Sequence, residues 1–518
     1  MPPVNCPSER LRRLYFAGLG VVFVMAFASL WVQFAGLFGE HGIVPAQQLL
    51  EQWPKHVAGT PYENAFAHGI PTLFWFGASD GVMRAWCGVG IACGGLLALG
   101  FAPLWLTALC GAVYLSFVNV GDVFLGYQWD ALLLETAALS LFYAPTALRP
   151  WSGTPRPPTR AALWALRLLL FRFMFSSGAV KLLSGDEAWR DFTALTFHYW
   201  TQPLPTRLGW FAQQLPLGFQ KWTCVGMFAV ELGASWLVFL GRWGRRVFAL
   251  STAGLMAAIA ATGNYGFFEP LTVVLCLPVL ADDPPWPPFK ESFAAFRRQF
   301  REFPELSSFP AFVMAGRALA AVAAACYAMF ALTLAASELS RSPIGPPWLR
   351  RTQQSLEATV EGWRPFWSAV ESLERFRAAN TYGLFAVMTK SRPSLEIQGS
   401  DDLAHWKSYA FRWKENDDLT QPPLFCEPHM PRLDWQMWFE ALARRPNPWF
   451  RLLLQRLLEG EPAVLALLAE NPFPDRPPRF VRAVKFDYEF TTAAERHDTG
   501  QWWKRRETAI FHPPVSRR

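Results

Sequence analysis

Leu14-Tyr-Phe-Ala-Gly-Leu-Gly-Val-Val-Phe-Val-Met-Ala-Phe-Ala-Ser-Leu-Trp-Val-Gln-Phe-Ala-Gly-Leu37 runs for 24 residues without a charge, and its reading decides the fold. A helix rises about 1.5 Å per residue and the bilayer core is about 30 Å thick, so about 20 apolar residues cross it. The stretch is longer than the roughly 7–15 apolar residues of a cleavable leader, and no clear small-residue cleavage pattern follows it. It predicts a signal anchor. Arg10, Arg12 and Arg13 precede it, which puts the N-terminus in the cytosol by the positive-inside rule.

Working outward, similar stretches lie at Ala85–Phe101, Pro103–Asn119, Trp129–Leu148, Ala161–Leu183, Trp222–Leu240, Val247–Thr262, Phe267–Ala281 and Phe312–Ala336. Turn signals at Gly100-Phe-Ala-Pro103 and Gly263-Asn-Tyr-Gly266 separate neighbouring helices. With nine spans, every basic connection falls on the cytosolic side: Arg149, Arg156 and Arg160; Arg242, Arg245 and Arg246; Lys290, Arg297, Arg298 and Arg301. An even count would break this alternation. The stretches 38–84, 119–128, 184–221 and 263–266, and everything beyond about 340, are then exocytoplasmic.

Composition agrees. Of 518 residues, 52% are hydrophobic and 17% charged, against about 25% charged in soluble domains. Aromatics reach 15%, with 25 Trp and 44 Phe, which excludes disorder, collagen-like chains and small disulfide scaffolds. The net charge of +7 follows membrane sidedness, so a nucleic-acid partner is not expected; the lipid bilayer is.

The fold predicted is a polytopic α-helical membrane bundle over residues 1–340. A linker with a short helix over 341–379 contains Pro343, Pro346, Pro347 and Pro365. An extracytoplasmic, β-sandwich-like domain with an inserted helical hairpin follows over 380–510. Strands are predicted at Tyr382–Met388, Ser394–Ile397, Trp406–Trp413 and Val481–Phe490, where Val484, Phe486, Tyr488 and Phe490 share a face. The hairpin takes 433–444 and 449–470.

Catalytic motifs are missing. There is no GxSxG, HExxH, phosphate-binding Gly-rich loop or CxxC, and no two of the eight His stand at helical ligand spacing. No cofactor and no metal are expected. Cys426 is alone in the exported part, so no disulfide framework is available there.

Charges within spans are costly unless paired or hydrated. The intramembrane polar candidates are Asp130, Glu135, Arg172, Lys181 and Glu231, with Arg167 nearby. They read either as a proton relay or as ion pairs fixing the bundle, with Asp130 and Lys181 snorkelling at the exocytoplasmic edge. Glu135 or Glu231 is the expected partner of Arg172. In the exported part, Arg432-Leu-Asp-Trp-Gln-Met-Trp-Phe439 sets aromatics beside an acid and a base. It reads as an exposed partner-binding cluster, or as core with a local Arg432–Asp434 pair. Tyr382, Arg432, Asp434, Trp435 and Trp438 are the partner-binding candidates.

Several strings resemble the lipase maturation factor family: Gly126-Tyr-Gln-Trp-Asp-Ala-Leu-Leu-Leu-Glu135, Phe171-Arg-Phe-Met-Phe-Ser-Ser-Gly-Ala-Val-Lys-Leu-Leu-Ser-Gly-Asp186, Trp189-Arg-Asp191, Phe197-His-Tyr199 and Thr201-Gln-Pro-Leu-Pro205. Asn380-Thr-Tyr-Gly-Leu-Phe385, Arg432-Leu-Asp-Trp-Gln-Met-Trp438 and Asn471-Pro-Phe-Pro474 extend the resemblance, which covers about residues 10–505. It implies a polytopic membrane protein with an extracytoplasmic C-terminal domain that helps an exported partner such as a secreted lipase to mature, in the manner of a chaperone. Eukaryotic relatives sit in the endoplasmic reticulum membrane; without Asn-x-Ser/Thr sequons, this chain reads as a bacterial inner-membrane member. A fainter similarity links Ser177-Gly-Ala-Val-Lys-Leu-Leu-Ser-Gly-Asp-Glu-Ala-Trp189 to vitamin K-dependent carboxylases, and implies an alternative: a membrane-embedded enzyme using Lys181 as a base. The aromatic, Pro-rich loop 184–221 is expected beside the exported domain.

Overall fold

The computed structural model describes residues 7–59, 69–152, 157–283 and 375–517. The predicted stretch Phe312–Ala336 and most of the 341–379 linker lie outside the described residues. Each of the other eight apolar stretches falls on a helix: α1 Pro7–Trp31, α2 Asp80–Ala98, α3 Pro103–Val120, α4 Gln128–Tyr143, α5 Arg160–Leu183, α6 Leu217–Phe228, α7 Gly241–Thr262 and α8 Phe268–Leu280. The α6 helix continues through a π turn, Ala229–Gly233, and a 3-10 segment, Ala234–Phe239. Counted with these continuations, five helices are long and apolar enough to cross a membrane: α1, α2, α3, α5 and Leu217–Phe239. The count of nine therefore exceeds what length and composition establish among the described residues. α8 has 13 residues, and α4 has 16 with Asp130 and Glu135 among them.

Local chemistry sets the breaks. Ser79 and Thr159 cap α2 and α5 by accepting from Val82 N and Ala162 N. Gly100 at φ +89 turns the chain, and Pro103 then opens α3. Close packing follows from small residues. A Cβ on Gly20 would meet Ala98 N at 2.4 Å and Gly94 O at 2.6 Å, so α1 and α2 touch backbone to backbone.

The two ends of the bundle differ. At one, Asp283 gathers Arg160, Arg167 and Arg245, and Arg12 donates to the Tyr143 carbonyl. At the other, Ser29, Gln33, Gln128 and Asn264 hydrogen-bond the C-terminal domain.

That domain is β-rich, but its described strands form one sheet. Strands β1 Arg392–Ser400, β2 Lys407–Ser408, β3 Phe480–Phe490 and β4 Trp503–Ser516 pair antiparallel in the order β2-β1-β3-β4. The expected sandwich is corrected for a physical reason: both faces are covered, but not by a second sheet. Leu395, Ile397, Val481 and Ala483 join the main core, where α9 Arg432–Leu442 packs on β1 and α10 Pro448–Glu459 on β3. Val484, Phe486, Tyr488 and Phe490 share the other face with Trp210, Trp502 and Trp503. The strand expected at Tyr382–Met388 is irregular, because Tyr382, Phe385 and Met388 are drawn separately into the bundle and its loops. Of Trp406–Trp413, only Lys407–Ser408 joins the sheet.

Candidate functional site

The first turn of α4 carries Asp130, fully buried. It accepts Tyr114 Oη at 2.5 Å from α3, and Arg432 Nη1 and Nη2 at 2.6 and 2.7 Å from the C-terminal domain. Arg432 opens α9, and its place is fixed from the membrane side. Its backbone N–H donates to Gln33 Oε1 at 2.9 Å, Gln33 Nε2 donates to Met430 O at 2.8 Å, and Arg432 Nη1 also reaches Phe124 O at 3.0 Å. A planar guanidinium suits such bidentate capture of a carboxylate.

Deeper on α4, Glu135 ion-pairs with Arg172 of α5. Its other oxygen accepts Tyr382 Oη at 2.6 Å, Asn380 N at 2.9 Å and Asn380 Nδ2 at 3.0 Å. The C-terminal chain is thus threaded into the bundle as far as the Glu135–Arg172 pair. A third pair stands apart: Lys181 Nζ donates to Glu231 Oε1 and Oε2 at 2.6 and 2.8 Å, beneath the Trp189 ring. Glu231 sits in the π turn.

These pairs show which groups the intramembrane candidates meet. Asp130, Glu135 and Glu231 are each met by a cation, and Arg172 takes Glu135 rather than Glu231. Asp130 and Lys181 do not snorkel at an edge; both are buried against their partners, since pairing costs less than leaving either half solvated at the seam.

The expected partner-binding cluster is also inside. Tyr382, Arg432, Asp434 and Trp435 are each 2–3% exposed. Trp435 packs on Trp129 at 4.8 Å and Tyr265 at 5.4 Å, and its indole N–H donates to Asn264 O at 3.1 Å. Trp438 is half-buried and donates to Thr201 O at 2.8 Å. Asp434 does not pair with Arg432. It accepts from Trp413 N and Lys414 N at 2.9 and 3.1 Å, and burial pushes its pKa up to about 6. The motif joins domain to bundle, a role that composition cannot distinguish from an exposed patch.

Several seam residues escape a reading by residue type. Asn264 fastens the C-terminal segment Leu424–Cys426 through both ends of its amide, to Leu424 O and from Cys426 N at 2.8 Å each. Arg392 donates to the carbonyls of Trp200, Gln202 and Pro203, so the loop 184–221 does lie against the domain. Glu427 accepts Tyr265 N at 2.8 Å, and burial pushes it up to about 7. Beside this seam lies an apolar cleft of about 170 Å³, floored by Lys181 and Glu231 and walled by His198 and Phe385.

Comparison with known proteins matches residues 10–285 to the family described as lipase maturation factor transmembrane domain, and residues 378–513 to lipase maturation factor C-terminal domain. The chain is 33% identical to lipase maturation factor 2 of Gallus gallus over 98% of its length and 82% of the relative. Against lipase maturation factor 2 of Homo sapiens it is 33% identical over 98% and 83%, and against lipase maturation factor 1 of Bos taurus 30% over 98% and 89%. No solved structure matches it.

Proposed function

Because the chain belongs to the lipase maturation factor family, we propose that this integral membrane protein assists the folding of an exported client such as a secreted lipase. The observation that carries the reading is the seating of the C-terminal domain. Arg432 on Asp130, and Tyr382 with Asn380 on Glu135, hold that domain on the end of the bundle opposite the arginine cluster around Asp283. A domain held at the membrane surface meets a client as it emerges. We place the arginine-rich end in the cytosol of a bacterial cytoplasmic membrane and the domain outside it, following charge sidedness.

Lys181 argues against the carboxylase-like alternative. It donates to both oxygens of Glu231, so its amine is engaged by that carboxylate rather than standing free as a base.

The test is co-expression with a dimeric secreted lipase in cells that lack their own factor. The full chain raises the active fraction of secreted lipase, and a chain truncated after residue 344 does not. Equal lipase activity with and without the full chain overturns the reading.

A further inference from the structure

A second cavity, of about 420 Å³, opens on the seam between the end of α1 and the C-terminal domain. Val32, Leu433 and Leu467 form its apolar wall, and Arg412, Trp413, His429 and Asp434 its polar one. The length of α1 sets its depth. At about 1.5 Å per residue, the 25 residues of Pro7–Trp31 rise about 37 Å, more than the roughly 30 Å of a bilayer core. Val32, the next residue, therefore reaches the headgroup layer on the domain's side, where it is 69% exposed at the mouth of the cavity.

The polar wall has two ends of opposite charge. At one end Arg412 is exposed, gives Nη2 to the Ala466 carbonyl at 3.0 Å and meets no carboxylate among the described residues. His429 beside it adds no charge: burial, and then Arg412, hold its imidazole down at about 4, and its Nδ1 lies on Ser29 Oγ at 3.1 Å. At the other end is the buried Asp434. Its Oδ1 accepts the backbone N–H groups of Trp413 and Lys414, while Oδ2 takes no hydrogen bond among the described residues and is not sealed from the cavity. Burial raises this carboxyl to about 6, so it carries its charge at neutral pH. The nearby Lys414 ammonium does not cover that oxygen; it donates to the Leu395 and Glu415 carbonyls at 3.3 and 2.9 Å. Trp413 spans the two ends, with its backbone N–H on Asp434 and its ring 5.8 Å from that of His429.

A carboxylate this buried is costly unless a cation meets its open oxygen. A guanidinium without a carboxylate suits a phosphate, which its planar fork grips through two N–H groups. A guest that carries both charges, and an apolar tail to leave across Val32, satisfies every wall. We propose that the cavity binds the headgroup of a phosphatidylethanolamine from the leaflet on the domain's side, with its phosphate at Arg412, its ammonium at Asp434 Oδ2 and its glycerol end over Val32. A primary ammonium brings three N–H donors to Asp434. A phosphocholine head has no such donor, and a phosphoglycerol head has no cation. The bound lipid touches α1 and α9 at once and fastens the domain to the bundle, a role that stands or falls independently of client capture.

The experiment strips the full chain of lipid in dodecyl maltoside, adds dioleoyl phosphatidylethanolamine, phosphatidylcholine or phosphatidylglycerol in turn, and reads bound lipid by native mass spectrometry. One phosphatidylethanolamine is expected per chain, held about tenfold more tightly than either of the others, since it alone makes the charged hydrogen bond to Asp434. Arg412→Gln lowers its binding by a similar factor, whereas Arg445→Gln, on an exposed residue outside the cavity, leaves it unchanged. p-Benzoylphenylalanine in place of Val32 crosslinks the bound lipid. Equal binding of the three lipids, full binding in Arg412→Gln, or no crosslink from position 32 overturns the proposal. Displacement by free O-phosphoethanolamine at matched concentration also overturns it, by naming a soluble headgroup as the source. The three-lipid comparison decides in the unsubstituted chain, so the result does not depend on a variant folding.

Discussion

Arg432 of the C-terminal domain closes on Asp130 of the membrane bundle through two hydrogen bonds of 2.6 and 2.7 Å, with neither side chain more than 2% exposed. The pair joins residues 302 positions apart. Around it, Tyr114 and the Phe124 carbonyl use further hydrogen-bonding capacity of both partners. Removing one partner of a buried pair leaves a charge with no counter-ion, while removing both leaves no unpaired charge.

Arg432→Met is therefore expected to cost about 3–5 kcal/mol of domain seating, and Asp130→Leu with Arg432→Met much less. Limited proteolysis of the C-terminal domain in detergent, run as a double-mutant cycle, reads this directly. Additive losses would mean that the pair does not couple.

Tyr382→Phe deletes one hydrogen bond to the charged Glu135, worth about 1.5–3 kcal/mol. Glu135→Gln should cost more, because it also leaves Arg172 facing a neutral group. Thermal unfolding of the two variants gives the order, and equal midpoints would contradict it.

Glu427 gives a pH dependence with a definite sign. It faces the Tyr265 N–H and the carboxyl of Glu269, and burial raises its pKa from 4.5 to about 7. The folded chain holds a proton that the unfolded chain has released between those values. Its stabilising contribution is present below about pH 4.5 and is lost as pH rises through about 7. Glu427→Gln should flatten stability against pH over this window. Asp434, raised by burial to about 6 and faced by Lys414 and the Trp413 N–H, adds a slope of the same sign.

Trp210 links the loop to the sheet: it is 2% exposed, stacks edge-on with Trp502 at 5.4 Å and reaches Thr491 Oγ1 at 3.4 Å. Trp210→Ala should destabilise by about 3–5 kcal/mol. Hydrogen exchange in β3 and β4 is the readout, and unchanged protection there would show that the loop only rests on the domain.

Much of this architecture was legible because hydropathy and turn chemistry are local. Gly100-Phe-Ala-Pro103 splits two helices as read, and the alternation of Val484, Phe486, Tyr488 and Phe490 is the buried face of β3. Pairing was less legible. Glu135 with Arg172 could be anticipated from their depth in neighbouring spans, but Asp130 with Arg432 could not, since nothing local ties residues 302 positions apart. The C-terminal domain misled for the same reason. A sheet covered on both faces looks like half of a sandwich, and only tertiary contacts reveal that helices and the loop Trp210 supply the cover. Strand β4 begins Trp-Lys-Arg-Arg-Glu-Thr, an edge whose charges hide its pairing.

The most direct test of the account measures the active fraction of a co-expressed secreted lipase with the unsubstituted chain, with Arg432→Met, and with Asp130→Leu plus Arg432→Met. Loss of lipase maturation in the single variant and its recovery in the double is the predicted result. Maturation that persists in Arg432→Met while proteolysis shows the domain released would contradict it.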